Sequence, residues 1–261
     1  MLRALPVEAL SRRGRVLVVA CIALITALAW WYLVHLEHQM SIQLDHDKMM
    51  AGMGMTMDMQ WTAADVFFTF AMWTVMMVAM MAPAAAPVLL LFSAAQGKRA
   101  ERIATLETTM FALGYVVVWT GFSAGAAVAQ WALHQTAMLS PAMAASNPYF
   151  AGLVLIAAGA FQLTPWKSTC LTQCRSPLGF LMTNWREGKV GALRMGLGHG
   201  AYCLGCCWAL MGILFVVGVM NLGWVAVLSG FILLEKVGPK GAIAARIAGV
   251  GLIVAGIVVI A

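Results

Sequence analysis

The feature that most constrains this chain is a succession of apolar stretches, each long enough to cross a lipid bilayer. A transmembrane helix needs roughly 17 to 25 apolar residues. Stretches of that kind lie near residues 16–34, 63–93, 108–133, 149–169, 195–220, 222–235 and 241–261. Only 10% of the 261 residues are charged, against about a quarter in soluble domains. The expected fold is therefore all-α: a polytopic transmembrane helix bundle of about seven helices, or six if one stretch fails to span. With no long linker, internal repeat or P-loop to divide it, residues 1–261 are expected to form a single transmembrane domain, with lipid as its main partner.

Lys and Arg set the expected orientation, because cationic residues collect in short cytoplasmic segments. Arg3, Arg12, Arg13 and Arg15 precede the first stretch, whose length and flanks fit a retained anchor better than a cleaved signal peptide. Of 16 Lys and Arg residues, all but Lys48 fall on the same side. The amino terminus is then cytoplasmic, and the segments 35–62 and 134–148 face outward. The net charge of +6 follows from this bias and gives no reason to expect a nucleic-acid partner.

Three groups of residues carry metal chemistry. The outward segment 35–62 holds His35, His38, Asp45, His46, Asp47, Met49, Met50, Met53, Met55, Met57, Asp58 and Met59. Thioethers suit Cu(I), whereas imidazole and carboxylate also accept Cu(II) or Zn(II). As an extended strand, Met53, Met55, Met57 and Met59 would point their sulfurs to one side. This His/Met-rich segment is expected to be a flexible external loop, either one that captures copper or one whose methionines rest on the membrane surface.

The second group is Gly198 to Met211, Gly-His-Gly-Ala-Tyr-Cys-Leu-Gly-Cys-Cys-Trp-Ala-Leu-Met. On a helix Met195, His199, Cys203, Cys206 and Cys207 share an arc of about 120° over about 18 Å of rise. Thiolates with an imidazole one turn away can hold Cu(I) or Zn(II). The third group, Cys170 and Cys174, is spaced i, i+4 after the helix-start signal Thr164-Pro165 and should lie at the same end. All six cysteines map to the membrane or its cytoplasmic side, where thiols stay reduced. If the sulfurs share an ion, at least two must lie within about 4 to 5 Å, since metal–sulfur bonds are near 2.3 Å.

Two further features belong to the same reading. Met72, Trp73, Met76, Met77, Met80 and Met81 occupy one half of a helix, ahead of Pro83 and Pro87; a stripe of this kind serves core packing or a metal path. Glu235 sits in an apolar segment, where a carboxylate is expensive unless paired or functional. Counting fourteen residues either way from Asn221 reaches Cys207 and Glu235, so Glu235 is expected either to approach the cysteines or to pair with Lys236 or Lys240.

The segments Met72–Pro83, Gln162–Lys167, Cys170, Cys174-Arg175, Pro177, Gly200–Met211 and Glu235-Lys236 resemble a bacterial family of integral membrane proteins described as metal-binding and of unknown function. The resemblance covers most of the chain after residue 60, but not the His/Met segment. It implies a helical membrane fold and metal binding, with no reaction attached. The residue chemistry favours copper as the bound ion, with zinc as the alternative. The leading function is copper handling in the bacterial cytoplasmic (inner) membrane: capture, transfer or delivery to a cuproenzyme, a metallochaperone or another membrane subunit. The alternatives are a membrane metalloenzyme, of oxidase, oxygenase or thiol-redox type, and a structural subunit of a larger complex. No Walker or Asp-Lys-Thr-Gly sequence is present, so ATP-driven pumping by this chain alone is not expected.

Overall fold

The computed structural model describes residues 12–53, 61–96, 101–140 and 143–261. Among these the helices are α1 (Arg12–Gly52), α2 (Ala63–Ala95), α3 (Glu101–Gln135), α4 (Pro148–Gln162), α5 (Pro165–Arg175), α6 (Pro177–Asn184), α7 (Gly188–Gly212), α8 (Leu214–Val217), α9 (Leu222–Val237) and α10 (Gly241–Ile260). The only β pairing among the described residues is an isolated bridge between Leu139 and Ala145. The all-α expectation holds.

Local chemistry explains most of the boundaries. Asp65 starts α2 by accepting hydrogen bonds from the Thr62 backbone N–H and hydroxyl, both at 2.7 Å. Asn147 caps α4 through the N–H groups of Tyr149 and Phe150. Thr164 caps α5 with Pro165 in the first turn, and the chain bends by 63° between α4 and α5. Gly218, at φ 98°, ends α8 with a backbone few other residues adopt.

Among the described residues, five helices are long and apolar enough to cross a membrane, and a sixth span results if the bent pair α4 and α5 counts as one. The seventh expected stretch is α9, whose 16 residues cover only about 24 Å, short of a hydrocarbon core of about 30 Å. The stretch expected at 149–169 is broken at its capped proline, and that expected at 195–220 divides into α7 and α8.

The largest departure is at the amino-terminal end. Residues 35–52 were expected in a loop with extended character, but they continue α1 as helix. The 41 residues of α1 measure about 62 Å, twice the thickness of a hydrocarbon core. No Gly or Pro interrupts the sequence between Gly14 and Gly52, so nothing forces the helix to stop at the membrane surface.

Two glycine-lined contacts fix the centre. Gly159 of α4 faces the Gly249 carbonyl of α10, where an added Cβ would lie 2.6 Å from it, and Gly152 and Gly256 repeat the contact at the other end. The pairings 152 with 256 and 159 with 249 make α4 and α10 antiparallel. Gly196 of α7 lies against the Phe111 carbonyl of α3, and Gly200 against Tyr115 and Val118. The indices rise together, so α3 and α7 are parallel. Without a glycine at these points the backbones could not approach so closely.

Candidate metal centre

The close packing of α7 on α3, with α5 bent across them, collects four thiols. Cys203, Cys206 and Cys207 of α7 and Cys174 of α5 are buried, and all are free thiols. Cys206 Sγ lies 3.3 Å from Cys207 Sγ and 4.0 Å from Cys174 Sγ. The second separation fits two sulfurs sharing one ion, since bonds of about 2.3 Å allow at most about 4.6 Å between them. Cys170 does not join the group: its sulfur packs on Gly205, where a Cβ would approach it to 2.9 Å.

Cys203 has partners that the cysteine spacing did not indicate. Its Sγ lies 2.8 Å from Lys236 Nζ of α9 and 2.9 Å from the Tyr115 hydroxyl of α3. Tyr115 also donates to the Met81 carbonyl oxygen at 3.2 Å, and the Lys236 ammonium stands 4.0 Å from Met81 Sδ. A buried ammonium needs a negative partner, and the sulfur of Cys203 is the group placed to provide one.

Glu235 faces elsewhere. Both carboxylate oxygens lie 2.8 Å from Lys167 Nζ, and Gln162 donates to one of them at 3.0 Å. Lys167 also donates to the Gln162 side-chain carbonyl, and Arg175 donates to the Glu235 backbone carbonyl. The carboxylate therefore pairs with neither cysteine nor Lys240, and its adjacent lysine is the residue that reaches the thiols. A count along the hairpin gives depth but not direction: successive residues on a helix point about 100° apart, so Glu235 turns to Lys167 and Lys236 comes opposite Cys203.

His199, one turn before Cys203, is surrounded by rings: Phe180 at 5.0 Å, Tyr115 at 5.9 Å and Phe111 at 6.2 Å between centroids. It is buried, and its Nδ1 has no hydrogen-bond partner among the described residues. An unsatisfied buried imidazole nitrogen is costly unless something else takes it up. His35, His38 and His46 are exposed on α1, with His35 stacked on Trp31. Met53 is exposed just beyond the helix, while Met55, Met57 and Met59 lie outside the described residues. Among the described residues, no three His, Cys, Asp or Glu side chains converge as a ready-made metal shell. The thiols meet as close pairs.

The family model for PpoB2, described as a copper chaperone, matches residues 70–259. The chain belongs to that family. The copper chaperone match takes in the methionine stripe of α2, all four clustered thiols, Tyr115 and Lys236, and leaves out the histidines of α1. No curated protein and no solved structure matches the chain. The donors in the matched region fit the cargo that the family description names, since thiolate and thioether sulfur select Cu(I).

Lys236, Tyr115 and Met81 are the members of the site that spacing within the cysteine motif could not supply. One signal for Lys236 was present: a lysine in the last turn of an apolar helix, next to a carboxylate, invites the question of which one stays buried. Tyr115 carries no local signal at all.

Proposed function

We propose that the chain is a membrane-embedded copper chaperone that holds Cu(I) between thiolate sulfurs drawn from Cys174, Cys203, Cys206 and Cys207, and passes it to a cuproenzyme or a second carrier. The observation that carries this reading is the 4.0 Å approach of Cys174 to Cys206 across two helices, inside the region matched by the copper chaperone family. Lys236 supports Cu(I) over zinc. With Cys203 as one of two thiolates on the ion, Cu(I) gives a net charge of −1, which the Lys236 ammonium cancels; with Zn(II) the same pair would leave a buried positive charge, and uncompensated buried charge is strongly unfavourable. His199, one turn before Cys203 on α7, is the further donor that supports the site, but the thiol pairs come first.

The cationic bias supports placement in a bacterial cytoplasmic membrane with a cytoplasmic amino terminus. The exposed His35, His38 and His46, with Met53, Met55, Met57 and Met59 following, then form an accessory external capture region, attached to the chaperone core and not part of it. Replacing Cys174 and Cys206 by Ser should remove most copper from protein purified without chelator, measured by mass spectrometry as moles of metal per chain. Full stoichiometry in that variant, or zinc in place of copper in the unaltered protein, would overturn the reading.

A further inference from the structure

The cysteines of α7 are the middle of a longer series. Met195, His199, Cys203, Cys207 and Met211 follow one another at intervals of four residues, and each is 3% exposed or less. Every member carries a soft donor: thioether, imidazole, two thiols, thioether. At 1.5 Å per residue the steps are about 6 Å and the series covers about 24 Å, most of a hydrocarbon core, winding by only about 40° per step.

A second series approaches the same point from α2. Met72, Met76, Met77, Met80 and Met81 are all buried at 5% exposure or less, and belong to the same continuous core cluster as Met195, Cys203, Cys207 and Met211. Met81 is the end that reaches the thiols, through the Lys236 ammonium on Cys203. At the far end Trp73 Nε1 donates to Gln130 Oε1 at 2.7 Å, and Gln130 Nε2 donates to Met143 Sδ at 2.8 Å, so a further thioether is held where the stripe meets the loop after α3. At the opposite end of α7 the Met195 sulfur faces the Arg186 backbone N–H at 3.2 Å, at the helix start.

Packing alone does not ask for this. Leu fills a membrane core as well as Met, and packing gives no reason for an imidazole with an unpartnered Nδ1 inside the row. We infer that these rows form a ligand path along which Cu(I) crosses the membrane, so that the protein conducts copper as well as holding it. The inference rests on the thiol site proposed above and extends it from a store to a conduit. Each step breaks one metal–ligand bond and forms the next; the ion stays Cu(I) and no electron moves. A cysteine that takes the ion as thiolate recovers its proton when the ion leaves. Thiolates form the deepest well, and the thioethers and His199 are weaker stations on either side, as conduction requires sites that bind without trapping.

The test uses the full chain purified and reconstituted in phospholipid vesicles containing a membrane-impermeant Cu(I)-chelating dye. Cu(I) is supplied outside with ascorbate, and potassium with valinomycin clamps the potential. Vesicles with the unaltered protein should colour faster than protein-free vesicles. Met195→Leu combined with Met211→Leu conserves volume and so preserves the core; it should slow colouring by about tenfold, equivalent to about 1.4 kcal/mol on a limiting step, with little change in the melting temperature in detergent. Colouring at the unaltered rate in that variant would overturn the path and return the methionines to packing. Unaltered protein that binds copper but colours no faster than empty vesicles would overturn conduction and leave the thiol site standing. Protein that binds no copper would overturn both.

Discussion

At the scale of single residues, the adjacent pair Glu235 and Lys236 does two jobs in one helical turn. Successive residues on a helix point about 100° apart, so Glu235 meets Lys167 and Gln162 while Lys236 meets Cys203 and Met81. The first contact holds α9 to α5, and the second places positive charge at the thiols. Substitutions should separate the two. Lys236→Met keeps the length and apolar stem but removes the charge; it should weaken Cu(I) retention against a competing chelator, with Lys236→Arg retaining more than Lys236→Met, and the melting temperature in detergent should change little by comparison. Lys167→Met leaves the Glu235 carboxylate buried without its cation, and breaking one partner of a buried pair costs about 3 to 5 kcal/mol. The expected readout is a large loss of thermal stability, and Lys167→Met combined with Glu235→Gln should recover part of it. If the double variant is no more stable than the single, the ion pair is not what holds these helices.

At the scale of elements, the crossings without side chains are the most sensitive. Gly159 and Gly249 allow α4 and α10 to touch backbone to backbone, and a Cβ on Gly159 would lie 2.6 Å from a carbonyl oxygen. Gly159→Leu should separate α10 from the bundle, seen as faster proteolysis of the carboxy-terminal helix, whereas Gly251→Leu, at a position with nothing within 4 Å, should have no such effect. Equal protease resistance in both variants would show that the glycine contact is dispensable. The sequence made the helices legible because burial in lipid leaves a one-dimensional trace, a run of apolar residues. It did not reveal the length of α1, since polar residues such as His38, Gln39 and Asp45 read as loop although nothing in them stops a helix. Nor did it reveal which side of α9 faces α7, which depends on how α9 is rotated about its own axis. A count of depth carries no direction around the helix, so it could not tell Glu235 from Lys236 as the residue that faces the cysteines. Contacts such as Tyr115 with Cys203 span 88 positions and leave no local pattern.

At the scale of the whole molecule, the two groups of donors differ in how firmly they are held, and that difference assigns their order of use. The thiols of α5 and α7 are buried among packed helices, so little freedom is lost when they take an ion. His35, His38 and His46 are exposed on a helix about twice as long as a hydrocarbon core is thick, and His35 and His46, eleven residues apart, stand about 16 Å apart along its axis. They cannot share one ion without bending the helix, so capture there requires the methionines that follow, at an entropic cost of order 1 to 2 kcal/mol for each residue fixed. Affinity should therefore be low at the outer region and high at the thiols, a gradient that draws copper inward. Replacing Met53, Met55, Met57 and Met59 by Leu should reduce copper loading of the membrane protein at limiting supply and leave it unchanged at saturating supply. Loading that falls equally at both would mean that the outer region is part of the principal site; loading unaffected at either would remove it from the path. The family match begins at residue 70, after this region. A chain in which His35, His38 and His46 are replaced by Ala should therefore still hold copper at Cys174 and Cys206, with only its response to scarcity lost.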